Sequence, residues 1–219
     1  MSPPTILTMK IDRIEASKHK RGRVLVFLAD GSLLKVTEQE LLIFGLRAGD
    51  ELDAETLERL KKAAGVSSIK TTAADLIGRR AMSRRDLEKK LQEKGATEAE
   101  ARYAGEWLEA IGAIDDAAYA AALVRHCGDR GYGPRRAKEK LREKGVPQDL
   151  WDEALDELPP DREQIDHFLQ GKLRGRTPED KEKKRLTDAL LRRGFSWGEV
   201  KSAWGRLNSE MQGWENIDE

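Results

Sequence analysis

The spacing of apolar residues along this chain changes character near residue 70. From Lys10 to Glu15 apolar and polar residues largely alternate, and Arg23–Ala29 is a β-branched apolar run, as partly buried strands require. Asp30-Gly31 separates Val24–Leu28 from Leu33–Val36, the two-residue signal of a β-hairpin turn. Thr37, with Glu40 three residues later, reads as a capping box for a short helix over Leu41–Phe44 that Gly45 ends. Leu46–Glu51 reads as a connection, and Asp53 starts a helix with Leu57 and Leu60 on one face. Gly65-Val66-Ser67-Ser68 marks a boundary, so the expectation is a small β-containing region over residues 1–69.

Beyond that boundary the chain repeats itself. Leu91-Gln92-Glu93-Lys94-Gly95 returns as Leu141-Arg142-Glu143-Lys144-Gly145 and more faintly as Leu190-Leu191-Arg192-Arg193-Gly194. Leu87, Ala137 and Leu186 stand one helical turn before the three leucines, and each glycine falls where a helix ends most cheaply in a left-handed residue. Ala96, Val146 and Phe195 follow the glycines, with Ala101, Trp151 and Val200 five residues further on, the spacing of a hydrophobic staple. Thr97 and Ser196 sit between as N-caps with Glu100 and Glu199 completing capping boxes, whereas Pro147 has no side-chain acceptor. Ala104, Ala154 and Ala203, then Leu108, Leu158 and Leu207, continue the parallel.

Each helix pair is preceded by one more helix, over Asp75–Arg80, Asp116–Gly128 and Arg162–Leu173. The repeats open on Ser83 with Asp86, on Gly133-Pro134, and on Thr177-Pro178-Glu179-Asp180. The expected fold is therefore mainly α. Tandem three-helix repeats over 70–114, 115–158 and 162–213 form an elongated curved array behind a β-hairpin-containing N-terminal region.

Composition narrows the function classes. Charged residues make up 37% of the chain and aromatics only 5%, which suits slender helical layers better than one thick core. Lys plus Arg balance Asp plus Glu at 40 each, so only the distribution of charge can point to a partner. A single cysteine, Cys127, closes no intrachain disulfide, and the three histidines have no zinc-ligand spacing, so a reducing compartment and no metal or cofactor are expected. The Met1-Ser2-Pro3-Pro4-Thr5 start carries no leader pattern, and no apolar stretch approaches a membrane span, so a soluble cytoplasmic protein is expected.

No catalytic constellation emerges. Asp115-Asp116 could be paired carboxylates, but Asp115 precedes a helix flanked by a staple of Ile114 and Tyr119, so both charges read as helix-terminus partners. His126 and Cys127 are adjacent on a helix and point about 100° apart, which suits packing and not a nucleophile with its base. Gly131-Tyr132-Gly133-Pro134 lacks the ending of a phosphate loop and reads as a turn.

Charge is distributed helix by helix. Arg84–Lys94 carries net +2, Arg135–Lys144 net +4 and Lys181–Arg193 net +4, whereas Thr97–Glu109 carries −3 and Gln148–Leu158 has five acidic residues and none basic. Stacking would line one edge with Arg and Lys, as phosphates or an acidic protein surface require. The bland alternative is a solvated surface of ion pairs within each helix. No aromatic ladder interleaves the cations, so contacts to DNA should go to the backbone and depend little on sequence.

Taken together, these residues resemble the RecX family. The resemblance rests on Arg80 and Ser83 ahead of Asp86-Leu87, on Leu91, Lys94-Gly95 and Leu108, and on Gly112-Ala113-Ile114-Asp115-Asp116 leading to Tyr119-Ala120. It continues through Arg130, Gly131, Gly133 and Arg135 to Leu141, Lys144-Gly145 and Val146. It covers roughly residues 75–158; the third unit matches less well, with Trp197 and Trp204 in place of less bulky residues. The resemblance implies a non-enzymatic regulator that lodges in the groove of RecA filaments on DNA; a monomer is expected. It would restrain strand exchange, ATP hydrolysis and coprotease activity in recombination and the SOS response. Charge placement singles out Arg80, Arg84, Arg85, Arg130, Arg135, Arg136, Lys140 and Lys144 as candidate contacts to DNA or RecA. The competing expectations are a sequence-specific transcription regulator and a helical-repeat scaffold for another protein.

Overall fold

The computed structural model describes residues 8–215, with side chains through residue 209. The leader reading of Met1–Thr5 lies outside the described residues. The chain divides into two compact units, one taking in the chain up to Arg80 together with Leu87–Ala113, the other Ala81–Asp86 and everything from Ile114.

In the first unit four antiparallel strands, β1 (Thr8–Ala16), β2 (Arg23–Leu28), β3 (Leu33–Thr37) and β4 (Glu51–Asp53), form a sheet in the order β3-β2-β1-β4. The β2–β3 hairpin turns at Asp30-Gly31 with Phe27 opposite Leu33. Alternation puts Val24, Val26 and Leu28 on the buried face with Ile11, Val36, Leu46 and Leu52. The helix α1 (Glu38–Ile43) has the full Thr37–Glu40 capping box. The Leu46–Glu51 connection ends in a strand the sequence did not announce, β4, whose three residues pair with Thr8–Lys10.

The boundary expected at Gly65-Val66-Ser67-Ser68 is absent. One helix, α2 (Ala54–Arg79), starts on the Asp53 N-cap and runs through it for 26 residues, so the separate helix expected over Asp75–Arg80 is its last turns. The hydroxyls that suggested a break instead bond back into the helix: Ser67 Oγ donates to the Ala64 carbonyl at 3.1 Å, Thr71 Oγ1 to Ser67 at 2.8 Å and Thr72 Oγ1 to Ser68 at 2.9 Å. Tertiary packing carries the helix across. Its first half buries Leu60 and Ala64 in the sheet's core, and its second half buries Ala73.

The helices α3 (Arg84–Glu93), α4 (Glu98–Ala110), α5 (Asp116–Asp129), α6 (Pro134–Glu143), α7 (Trp151–Leu155), α8 (Asp161–Leu173), α9 (Asp180–Arg192) and α10 (Trp197–Glu215) follow. The three-helix repeat fold is plain in α5–α7 and again in α8–α10. The repeat glycines Gly95, Gly145 and Gly194, which follow α3, α6 and α9, have φ of +95°, +69° and +97°. Thr97 and Ser196 cap α4 and α10 with their glutamates. Pro147 offers no such cap, and the corresponding helix begins as a 3-10 turn, Gln148–Leu150, and reaches only five residues as α7. The second repeat buries Ala120, Val124, Leu141, Val146 and Ala154 together; the third is built on Ile165, Leu169, Leu190, Phe195 and Val200. No helix among the described residues is long and apolar enough to cross a membrane.

Candidate functional site

The second unit joins its basic helices end to start. The first N–H groups of a helix and its last carbonyls have no partners within the helix. At the start of α6, Gly133 N–H donates to the Arg193 carbonyl at 2.8 Å and Arg135 N–H to the Gly194 carbonyl at 3.3 Å, so each end of the joint satisfies the other. The intervening residue is Pro134, which has no N–H to satisfy. Opposite ends of two helix dipoles meet there. Two glycines make the approach possible. A Cβ on Gly133 would lie 2.7 Å from the Phe195 ring, and one on Gly194 would lie 2.5 Å from the Arg136 nitrogen. The Arg193 guanidinium closes the joint by donating to the carbonyls of Arg130 at 3.0 Å and Gly131 at 3.2 Å.

The start of α3 sits on the end of α6 in the same manner. Ser83 is fully buried; its hydroxyl accepts from Asp86 N–H at 3.1 Å and donates to the Lys144 carbonyl at the C-cap of α6. Arg84 N–H donates to Asp116 Oδ1 at 2.8 Å, and the Arg85 side chain lies over Gly145, its Cβ 3.1 Å from where a Cβ on that glycine would stand. Ser83 and Gly133 are equivalent places in successive repeats. Where glycine brings backbone against backbone, serine reaches across with its hydroxyl. The end of α9 therefore meets the start of α6, and the end of α6 meets the start of α3.

Seven of the eight candidate contact residues lie along this succession. Arg84 and Arg85 open α3; Arg130 caps α5 beside the α9 joint; Arg135, Arg136, Lys140 and Lys144 follow α6 from its first turn to its C-cap. Arg85, Arg130 and Arg135 are exposed and the other four half-buried. Arg80, exposed at the C-cap of α2, belongs to the first unit and is not among the residues these contacts join. Part of the bland reading also holds, since Arg136 pairs with Glu139 and Lys140 with Glu143 on their own helix, each at 2.6 Å. Sequence reasoning passed over Arg193; the offset of one residue from the repeat glycine was the available signal.

The residues that could have carried chemistry are otherwise employed. Asp115 Oδ1 accepts from Ala118 N–H at 2.9 Å and so caps α5 as expected, while Asp116 serves α3 and not its own helix. Cys127 is buried in α5 and burial pushes its thiol up, so the nucleophilic thiolate is disfavoured; His126 is exposed. Among the described residues no group of three or more His, Cys, Asp or Glu is placed to hold a metal ion.

One carboxyl pair is perturbed. Burial, then the hydrogen bond to Glu199 and its charge, push Asp161 up to about 7. Burial acts upward on Glu199 too, but hydrogen bonds from Ser196 and Asp161 and the charge of Arg135 outweigh it and hold that carboxyl down. Asp161 thus keeps the proton that Glu199 gives up. Since the folded chain binds this proton more tightly than the unfolded one, the contribution of Asp161 to stability should fall as pH rises from about 4 to 7 and level off above that. Asp161→Asn should remove that slope and raise stability at pH 8 by about 1 kcal/mol after allowance for solvent screening. Urea titrations at pH 5 and pH 8 check it; an unchanged slope in the variant would place the titration elsewhere.

Comparison with known proteins bears on what this arrangement serves. Residues 115–155 match the family model described as RecX, second three-helix domain. A Regulatory protein RecX from Thermus thermophilus is 36% identical over 143 residues, 65% of this chain and 94% of that protein. One from Limosilactobacillus reuteri is 30% identical over 192 residues, 85% of this chain and 72% of that protein. A crystal structure of regulatory protein RecX superposes with a TM-score of 0.66 at 28% identity, covering 91% of this chain and all of the other.

Proposed function

The chain belongs to the RecX family of regulatory proteins, and from that premise we propose that it binds RecA filaments on DNA and restrains them. The observation that supports the reading is the end-to-start joining of α9, α6 and α3, since most of the candidate cations stand on α6 and at the start of α3. Cations carried on joined helices can touch successive protomers or phosphates at once, and weak contacts made together gain avidity. Arg85, Arg135 and Arg136 with Lys140 and Lys144 are the proposed contacts of that run, Arg84 and Arg130 flank it, and Arg80 is a separate contact from the first unit. Contacts to DNA go to phosphates, so affinity falls steeply with salt and ignores sequence. No cofactor enters, and the protein acts as a cytoplasmic monomer in recombination and the SOS response.

Adding the chain to RecA filaments on single-stranded DNA tests the reading. ATP hydrolysis should fall progressively and strand exchange with it. Unchanged hydrolysis with the chain in several-fold excess over protomers would refute it.

A further inference from the structure

The first unit holds a second basic feature, one that owes nothing to the repeats. Seven residues, Ser17–Arg23, connect β1 to β2 and begin it, and four of them are Lys or Arg with His19 a fifth nitrogen-bearing side chain. Basic segments of this density are the usual electrostatic footprint of nucleic acid on a protein surface.

A pocket of about 380 Å³ opens beside this turn, between the β2–β3 strands and α2. His19, Lys20, Arg23 and Lys35 line it, and no acidic side chain does. Arg23 is the unusual member. The residue as a whole is nine-tenths buried, and every oxygen its guanidinium meets is neutral: the Lys35 carbonyl at 3.3 Å, Ser67 Oγ at 3.0 Å, the Ser67 carbonyl at 2.8 Å and Thr71 Oγ1 at 2.9 Å. No carboxylate touches it directly; Glu40 is reached only through Ser67 Oγ, at 3.2 Å, so the cation is balanced in part within the fold and a bound anion would complete it. The four Nη hydrogens are committed to those oxygens, so Arg23 supplies the pocket with positive potential more than with donors. Donors come from Lys35, which forms no salt bridge among the described residues, from His19, and from Lys20, whose pairing with Asp75 at 3.0 Å is exposed and exchangeable. Leu25 and the 41% exposed Leu33 form an apolar wall beside these cations.

We propose that this pocket binds a phosphodiester of a nucleic-acid strand, the phosphate held by Lys35, Lys20 and His19 in the field of Arg23 and the sugar resting on Leu25 and Leu33. The β-containing region thereby grips the strand on its own account. This site stands apart from the proposed action on filaments and is tested without any recombinase.

Binding of the full chain to a fluorescein-labelled oligodeoxythymidylate of about 15 nucleotides is read by anisotropy across a salt series. Lys20→Glu with Lys35→Glu should weaken affinity about 10-fold near 0.1 M salt and lower the salt slope by about 1 to 2. The charge-matched control, Lys61→Glu with Lys62→Glu on α2, should change it less than about 2-fold. Lys35→Gln, which barely touches the fold, should lose about 3-fold and carries the test if the double reversal loses helicity. Equal losses in reversal and control, or affinity unchanged in the pocket variants, would overturn the site. AMP or inorganic phosphate competing fully at sub-millimolar concentration would assign the pocket to a free phosphate ester and overturn the strand.

Discussion

Gly194→Ala is expected to destabilise the second unit by about 3 kcal/mol, the sum of a left-handed φ imposed on a residue with a Cβ and of overpacking at the joint. Its φ is +97°, and the new Cβ would stand 2.5 Å from the Arg136 nitrogen, which belongs to backbone and cannot swing aside as a side-chain tip can. The N–H to carbonyl bonds from Gly133 and Arg135 would lengthen together, exposing the first turn of α6. Gly205→Ala is the matched control. That glycine lies within α10, its φ is not positive, and nothing lies within 4 Å of its would-be Cβ. The control should gain about 0.5 to 1 kcal/mol from helix propensity. Urea midpoints at constant slope separate the two. A Gly194→Ala protein as stable as the unaltered chain would mean that α9 and α6 do not abut.

Local signals in the sequence reached the structure wherever the physics was local. Asp30-Gly31 made its hairpin, Thr37 with Glu40 and Thr97 with Glu100 made their boxes, and the three repeat glycines took up positive φ, because each depends on residues within a turn of one another. The misses required knowledge of distant partners. β4 is three residues long and exists only through its pairing with Thr8–Lys10. Ser67, Ser68, Thr71 and Thr72 carry the composition of a boundary, yet packing against the sheet and against α4 carries α2 through them. Asp116 caps a helix more than thirty residues upstream of itself, which no capping pattern encodes. The basic helices were legible from charge alone, but not their joining. Gly133 read as a turn residue, and its real task, admitting the end of α9, becomes visible only beside Phe195.

The largest expected effect on binding comes from Arg84, Arg85, Arg135 and Arg136 replaced together by Glu. These four stand in the first turns of α3 and α6, two of the helices joined end to start. The fold should tolerate the change. Glutamate in a first helical turn is favoured by the dipole, and the like charges created beside Glu139, Glu199 and Asp116 together cost about 1 to 2 kcal/mol, which the dipole offsets in part. Filament affinity, in contrast, should fall about 100-fold near 0.1 M salt, with a shallower salt dependence, since each lost phosphate contact removes about one counterion from the slope.

Co-sedimentation with RecA filaments assembled on single-stranded DNA puts that reversal to the most direct use. The unaltered chain should pellet with the filaments and the fourfold variant, equally helical by circular dichroism, should stay in the supernatant. A variant that pellets as fully as its parent would show that these cations are a solvated surface and that the filament is met elsewhere.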